Sequence, residues 1–540
     1  MSPPMIGHPR IFPVNDSFRL TSIFPFCVKS AHAIFSVSAL ALTLAACGGG
    51  SSGPVSGDLT KDSTPVNSGW KAGTYKKSTE FDDLCAAPRS GSSKFTGDAF
   101  PDKKGSTLDE KNFLRSWSYE TYLWFEELPD LNPGDHGNPQ EYFELLKTNK
   151  TTSSGTPKDK FHWWEPTEDA ESWESGITYD YGIRLKVYST TPPRKYFVAY
   201  VEPGSPAALA SVKRGTRILK IDNYDLVNET SEAGTNALNE RLFPSQSGVA
   251  YKFELQDAGV NTPYSVTIQA GEVATSPVLL TKVLETSSGK VGYIVFNSHV
   301  EKAEKQWITA IQQLKQEAVS DVVLDLRYNG GGLLLTASQV SYMLAGSNVK
   351  DKVFYEQIEN SKQKKQEPMP FVDIGWFSDY KNLDLPALDL NRVYILTSNG
   401  TCSASEAIIN GLRGANIQVY LIGDTTCGKP YGYYPEENCG TTYYTIQLKG
   451  ANSKGFGEYG DGFIPSTTDD NKTKIKGCRV QDDIDHQLGD TQEAMLATAL
   501  NLRASGSCSA SVNAKLQKPK ADFVDGEFVE KEVRKILILN

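Results

Sequence analysis

The stretch between Lys290 and Lys429 constrains the fold most, because apolar runs of strand length alternate there with amphipathic, helix-like stretches. Val291–Phe296 reads as a strand and Glu301–Gln316 as an amphipathic helix. Asp321–Leu326 reads as a strand buried on both faces, since its apolar run is continuous. Val393–Thr397 and Val419–Gly423 repeat the strand character, with a helix-like Ser405–Leu412 between them. This alternation predicts an α/β core, with functional residues in the loops at the C-terminal ends of its strands. At 540 residues the chain is too long for one compact core, so further domains must flank this one.

Two flanking patterns precede it. Leu108–Lys147 is rich in Phe, Trp, Tyr and Leu at roughly helical spacing, broken by Pro129 and Asn132-Pro133-Gly134; it predicts a helical domain over 73–173 that packs on the rest. Ile177–Ala274 instead carries alternating strands, among them Gly182–Val187, Tyr196–Val201 and Arg217–Ile221, with Pro203–Ala210 as a turn feeding a short helix. That order resembles a PDZ domain of the bacterial protease type, here spanning 174–274. The resemblance implies that Tyr181, Gly182, Ile183, Arg184 and Leu185 form a carboxylate-binding loop and first groove strand. Such a groove takes a peptide as an added strand.

The N-terminus carries an uncharged apolar run, Ala31–Ala46, after Lys29, ending in Leu44-Ala45-Ala46-Cys47 and a Gly/Ser stretch. The run is short for a membrane span and has the small-residue ending of an export signal. It resembles a bacterial lipoprotein signal, which implies a signal over 1–46 and lipidation at Cys47. Residues 47–72, rich in Gly, Ser, Pro and Thr, read as a flexible tether. The expectation is an exported protein, anchored by lipid to a membrane of a bacterial cell envelope and facing the periplasm or exterior.

Setting aside Cys27 and Cys47 leaves Cys85, Cys402, Cys427, Cys439, Cys478 and Cys508, enough for three disulfides in an oxidising compartment. Spacing does not choose among the pairings; Cys427 with Cys439 could staple a hairpin, and Cys478 with Cys508 is a second candidate. There is no CxxC pair, and no His stands at ligand spacing to a Cys, so no metal site is expected. A net charge of −10 argues against a nucleic-acid partner.

Two segments follow strand ends and carry chemistry. In Asp325-Leu326-Arg327-Tyr328-Asn329-Gly330-Gly331-Gly332, three glycines let backbone N–H groups turn outward, which suits an oxyanion. No Lys-Ser or Lys-Thr pair follows, which weakens a phosphate-loop reading. In Thr397–Glu406, Ser403 stands between strand and helix with its hydroxyl exposed, and the Ala404 N–H can join the oxyanion hole. No His motif accompanies it. Lys429, at the end of the next strand in Gly428-Lys429-Pro430, is the candidate base, brought to Ser403 if strands 393–397 and 419–423 are parallel neighbours. A lysine base must be neutral, so the site has to strip water from its amine.

Together, Asp325–Gly332, Ser403-Ala404-Ser405-Glu406 and Gly428-Lys429, preceded by the PDZ-like part, resemble the C-terminal-processing (tail-specific) serine peptidases over about Ile177–Thr442. The resemblance implies a crotonase-like α/β core over 275–512, a Ser-Lys dyad and no cofactor. Its substrates would be exported proteins or peptides recognised near their C-termini. It makes Ser403 the nucleophile, Lys429 the base, and Gly331 or Gly332 with Ala404 the oxyanion donors; Glu406 would order the nucleophile turn. Members often have Gln four residues after the Lys, where this chain has Tyr433, and often an Asp on the following helix, where it has Arg413-Gly414.

The alternative is a catalytically inert PDZ-type scaffold that holds peptides at the membrane. A crotonase-type acyl-CoA enzyme also uses Gly-rich oxyanion loops, but export separates it from coenzyme A. Asp482-Asp483-Ile484-Asp485-His486 reads as an acidic surface turn, and Ile536–Leu539, in a tail over 513–540, as a docking strand.

Overall fold

The computed structural model describes residues 69–152, 154–174, 177–244, 246–508 and 527–529; the predicted signal, Cys47, most of the tether and Ile536–Leu539 lie outside them. Among the described residues no helix is long and apolar enough to cross a membrane.

The first α-helix of the described residues is α1 (Thr107–Thr121), whose Ser106 N-cap exchanges hydrogen bonds with Asp109 in a capping box. Phe113, Leu114 and Trp117 of α1 pack on Tyr142 and Phe143 of α2 (Pro139–Glu144), as the helical spacing of these aromatics predicts. This segment leans on the rest of the molecule: Tyr443 joins its core, and β1 (Trp163–Pro166) pairs with a strand at Thr441–Tyr444.

An antiparallel sheet follows, built from β2 (Ile183–Ser189), β3 (Lys195–Val201), β4 (Arg217–Ile221), β5 (Ala250–Gln256) and β6 (Tyr264–Gln269). Its order from one edge is β6-β5-β4-β3-β2. The β2 edge is itself occupied: Leu185, Lys186 and Val187 pair antiparallel with Val529, Phe528 and Glu527. The described strand of the tail is therefore Glu527–Val529.

The second sheet has seven strands: β7 (Val278–Leu284), β8 (Val291–Phe296), β9 (Asp321–Asp325), β10 (Arg392–Thr397), β11 (Gln418–Gly423), β12 (Ile464–Ser466) and β13 (Lys474–Arg479). They run in the order β7-β8-β9-β10-β11-β13-β12, and every pairing but β7 with β8 is parallel. β8 and β9 are buried throughout because helices cover both faces. Val322 and Leu324 face α3 (Ala303–Gln316), α4 (Leu334–Ala345) and α5 (Ala404–Gly414), whereas Val323 faces α6 (Ala494–Ser505). On α3 the buried Trp307, Ile308, Ile311 and Leu314 recur at the 3.6-residue period, with Thr309 and Gln312 exposed.

Register sets the site. Asp325 lies opposite Leu396, and Leu396 opposite Ile422, so β9, β10 and β11 end level and deliver their following loops side by side.

Candidate active site

Three loops meet at these strand ends, and hydrogen bonds from side-chain hydroxyls and backbone N–H groups to backbone carbonyls stitch them together. Ser398 Oγ and Thr401 Oγ1 donate to Arg327 O and Leu326 O at 2.5 and 2.8 Å. The Asn329 carbonyl accepts from Cys402 N and Ser405 Oγ at 3.1 and 3.0 Å. Cys427 N donates to Thr401 O at 3.1 Å.

Ser403 caps α5 with φ +54° and ψ −113°, a left-handed region that an L residue enters only when its surroundings enforce it. Glu406 supplies much of that enforcement. Fully buried at the first turn of α5, its carboxylate accepts from Ser403 N (3.0 Å), Lys429 N (2.8 Å), Gly428 N (2.9 Å) and Thr426 Oγ1 (2.5 Å). Burial pushes the Glu406 carboxyl up, against these donors. Glu406 thus holds the backbone of the Ser403 turn and of the Lys429 loop together, and the second of these contacts has no local sequence signal.

The glycine loop lies directly against Ser403. A Cβ on Gly331 would sit 2.8 Å from Ser403 Cβ, and one on Gly332 2.5 Å from His299 O. Both have positive φ, +111° and +127°. The Gly331 N–H turns inward to Asn329 Oδ1 at 2.9 Å, so it is not available to an oxyanion. Among the described residues the N–H groups of Gly332 and Ala404 donate to nothing, which narrows the expected donors to that pair. His299 pins the loop from behind: its Nδ1 meets Asn329 Oδ1 at 3.0 Å, and burial lowers its pKa to about 4, so the ring is neutral. Sequence reading set His299 aside because no motif surrounds it.

Lys429 is half-buried rather than stripped of water. Its Nζ donates to Tyr433 Oη at 3.1 Å and sits 4.2 Å from the Tyr433 ring centroid and 5.2 Å from that of Phe161. Among the described residues no hydrogen bond joins it to Ser403 Oγ. Phe161 comes from the N-terminal segment, as does Lys160, which donates to Cys427 O at 3.0 Å. The N-terminal part therefore forms a wall of the site.

A disulfide binds the two loops covalently. Cys402, next to Ser403, is joined to Cys427, two residues before Lys429. The suggested Cys427–Cys439 staple is thereby corrected, since Cys439 pairs with Cys85, 354 positions away; Cys478–Cys508 is present as suggested. Cys402, Glu406 and Cys427 form the one cluster among the described residues with metal-ligand spacing, and its two sulfurs are joined to each other.

On the antiparallel sheet, Gly182 has φ +77° and its N–H donates to Asp180 Oδ1 at 2.5 Å, at the point expected to meet a carboxylate. Tyr181 Oη donates to Arg241 O, and Arg184 pairs with Asp180 and Glu202 at 3.1 and 3.4 Å. Ile183 pairs with Val201, and Leu185 is buried. The acidic turn read at Asp482 is corrected as well: its side chain is 2% exposed and lies among cations.

Residues 290–434 match the sequence model of peptidase family S41. The chain is 27% identical over 227 residues to a carboxyl-terminal-processing protease of Picosynechococcus, covering 42% of this chain and 49% of that one. It is 26% identical over 281 residues to the carboxy-terminal processing protease CtpA of Bacillus subtilis, covering 50% and 52%. The chain thus spans about half the length of these curated relatives. A crystal structure of a candidate S41 protease from Bacteroides fragilis superposes with TM-score 0.56 at 21% identity, over 73% of this chain and 97% of that one, which establishes a shared fold.

Proposed function

We propose that this chain, whose residues 290–434 match the sequence model of peptidase family S41, is a serine endopeptidase that hydrolyses exported proteins recognised near their C-termini. Ser403 is its nucleophile and Lys429 its base. The observation that carries this reading is the single buried Glu406 carboxylate, which holds the backbone N–H groups of both Ser403 and Lys429.

The neutral Lys429 amine swings from Tyr433, takes the proton from Ser403 Oγ as that oxygen attacks a peptide carbonyl, and returns it to the leaving amine as the C–N bond breaks. The oxyanion is held by the N–H groups of Gly332 and Ala404. Water, deprotonated by Lys429, then cleaves the acyl-enzyme. No cofactor enters this scheme. The core is of crotonase type, and the antiparallel sheet is a PDZ-like domain whose groove strand β2 is paired with the chain's own Glu527–Val529. A lipid on Cys47 holds the enzyme in a bacterial envelope, facing the periplasm or exterior, and Tyr433 takes the orienting position after the base. The inert-scaffold alternative leaves unexplained why two loops are tied so closely around an alcohol and an amine.

The test is cleavage of an unfolded, fluorescently labelled protein by wild type, Ser403→Ala and Lys429→Ala, with a fluorophosphonate probe in parallel. Loss of cleavage in both variants, with probe labelling abolished in Ser403→Ala, is expected; retained cleavage in either rejects the dyad.

A further inference from the structure

Six charged side chains are buried together where the antiparallel sheet meets the seven-stranded sheet. Lys186 of β2, Arg214 after β3 and Arg327 after β9 are cations; Asp325, Asp482 and Glu493 are anions; none is more than 2% exposed. Asp482 is the centre. Its carboxylate meets Arg214 at 2.6 Å, Arg327 at 2.8 Å and Lys186 at 3.3 Å, and it accepts the Tyr328 hydroxyl. Burial works to raise its pKa, but the Arg214, Lys186 and Arg327 cations hold it well below the usual carboxylate range.

Its partners belong to different parts of the molecule. Lys186 is on β2, opposite Phe528, and Arg214 donates to Ala199 O and to the Tyr328 hydroxyl at 2.8 and 2.5 Å. Arg327 and Tyr328 open the loop that ends in Gly332. Apolar packing at this junction is thin: Ala199 and Tyr200 meet Tyr328, beside a cleft of about 300 Å³ lined by Val201, Val212, Leu279 and Leu488. The ionic cluster therefore fixes where the loop sits.

We propose that Asp482 is a positioning residue for the reaction: it holds Arg327 and Tyr328, hence the Gly332 amide, and through Lys186 makes that geometry depend on β2 of the antiparallel sheet. For catalysis this rests on the peptidase reading above. Asp482 touches no reacting atom; it acts through Tyr328 and Asn329, whose carbonyl the nucleophile turn grips.

Removing Asp482 itself would take the central carboxylate from the buried cluster and threaten folding, so the test uses Lys186→Met and Tyr328→Phe, singly and together, in the full chain. Each is expected to lower kcat on the labelled protein substrate about 10-fold with KM changed less than about 2-fold. The double variant should lose no more than the worse single one. Hydrogen exchange at 326–333 should quicken in Lys186→Met, although that residue lies on the other sheet; this readout needs no peptidase activity. Unchanged exchange, multiplicative losses, or a lowered Tm with kcat of the folded protein intact would overturn the proposal. A wild type that cleaves nothing but gives the expected exchange change would overturn the peptidase reading alone.

Discussion

The Glu406 carboxylate takes the Lys429 backbone N–H at 2.8 Å, joining the helix that Ser403 caps to the loop that carries Lys429. All of its hydrogen-bond partners are donors, so Glu406→Gln turns an amide NH2 toward at least one of them. Substitution is expected to cost about 3 kcal/mol, the range for a broken buried charged hydrogen-bond set. Thermal unfolding measures this. Peptidase activity should fall by about 100-fold even at temperatures where the variant is folded.

The Cys402–Cys427 bridge fixes the same two loops by a covalent route and closes a loop of 25 positions. Replacing both cysteines by serine should lower stability by about 3 kcal/mol on loop-closure entropy. It should also lower kcat at least about 10-fold, because the two loops then rely on Glu406 and backbone hydrogen bonds such as Cys427 N to Thr401 O. Equal kcat for the double variant and wild type would mean that those hydrogen bonds suffice.

Gly332→Ala forces a Cβ to within 2.5 Å of His299 O at φ +127°. With the loop displaced, an oxyanion donor is lost and kcat should drop about 100-fold. Gly204→Ala is the control: its φ is also positive, at +73°, but nothing lies within 4 Å of the added carbon. It should show backbone strain in Tm and no change in kcat.

His162 is buried and neutral. Its Nε2–H donates to Phe143 O at 2.8 Å, and burial lowers its pKa from 6.5 to about 3. The unfolded chain therefore binds a proton that the folded one refuses. The stabilisation is complete above pH 6.5 and is lost as pH falls toward 3. Carboxyls raised by burial, such as Glu406, slope the other way. The clean measurement is the stability difference between wild type and His162→Gln, which should shrink steadily from pH 7 to pH 4.

Much of the core was legible because its signals are local. Val291–Phe296 and Arg217–Ile221 form strands over the ranges that their apolar pattern indicates. The parallel pairing of β10 with β11, on which the meeting of Ser403 and Lys429 depends, follows from strand-helix-strand order. What escaped was pairwise and distant. Nothing near Cys85 points to Cys439, and hairpin proximity favoured the wrong partner for Cys427. Asp482 misled for a related reason: an Asp-Asp-Ile-Asp run reads as solvated until Arg214 and Arg327, 268 and 155 positions away, are brought to it. The Gly331 amide looked as free as that of Gly332 because an Asn two residues before a glycine does not announce where its side chain points.

The Cys85–Cys439 bond has a consequence for the enzyme's lifetime. Any single backbone cut between those positions, self-inflicted or not, leaves both pieces on one covalent scaffold, since the bond straddles the antiparallel sheet and most of the core. A nicked molecule would run as one species on a non-reducing gel and separate only with thiol, keeping its parts in reach of one another after damage.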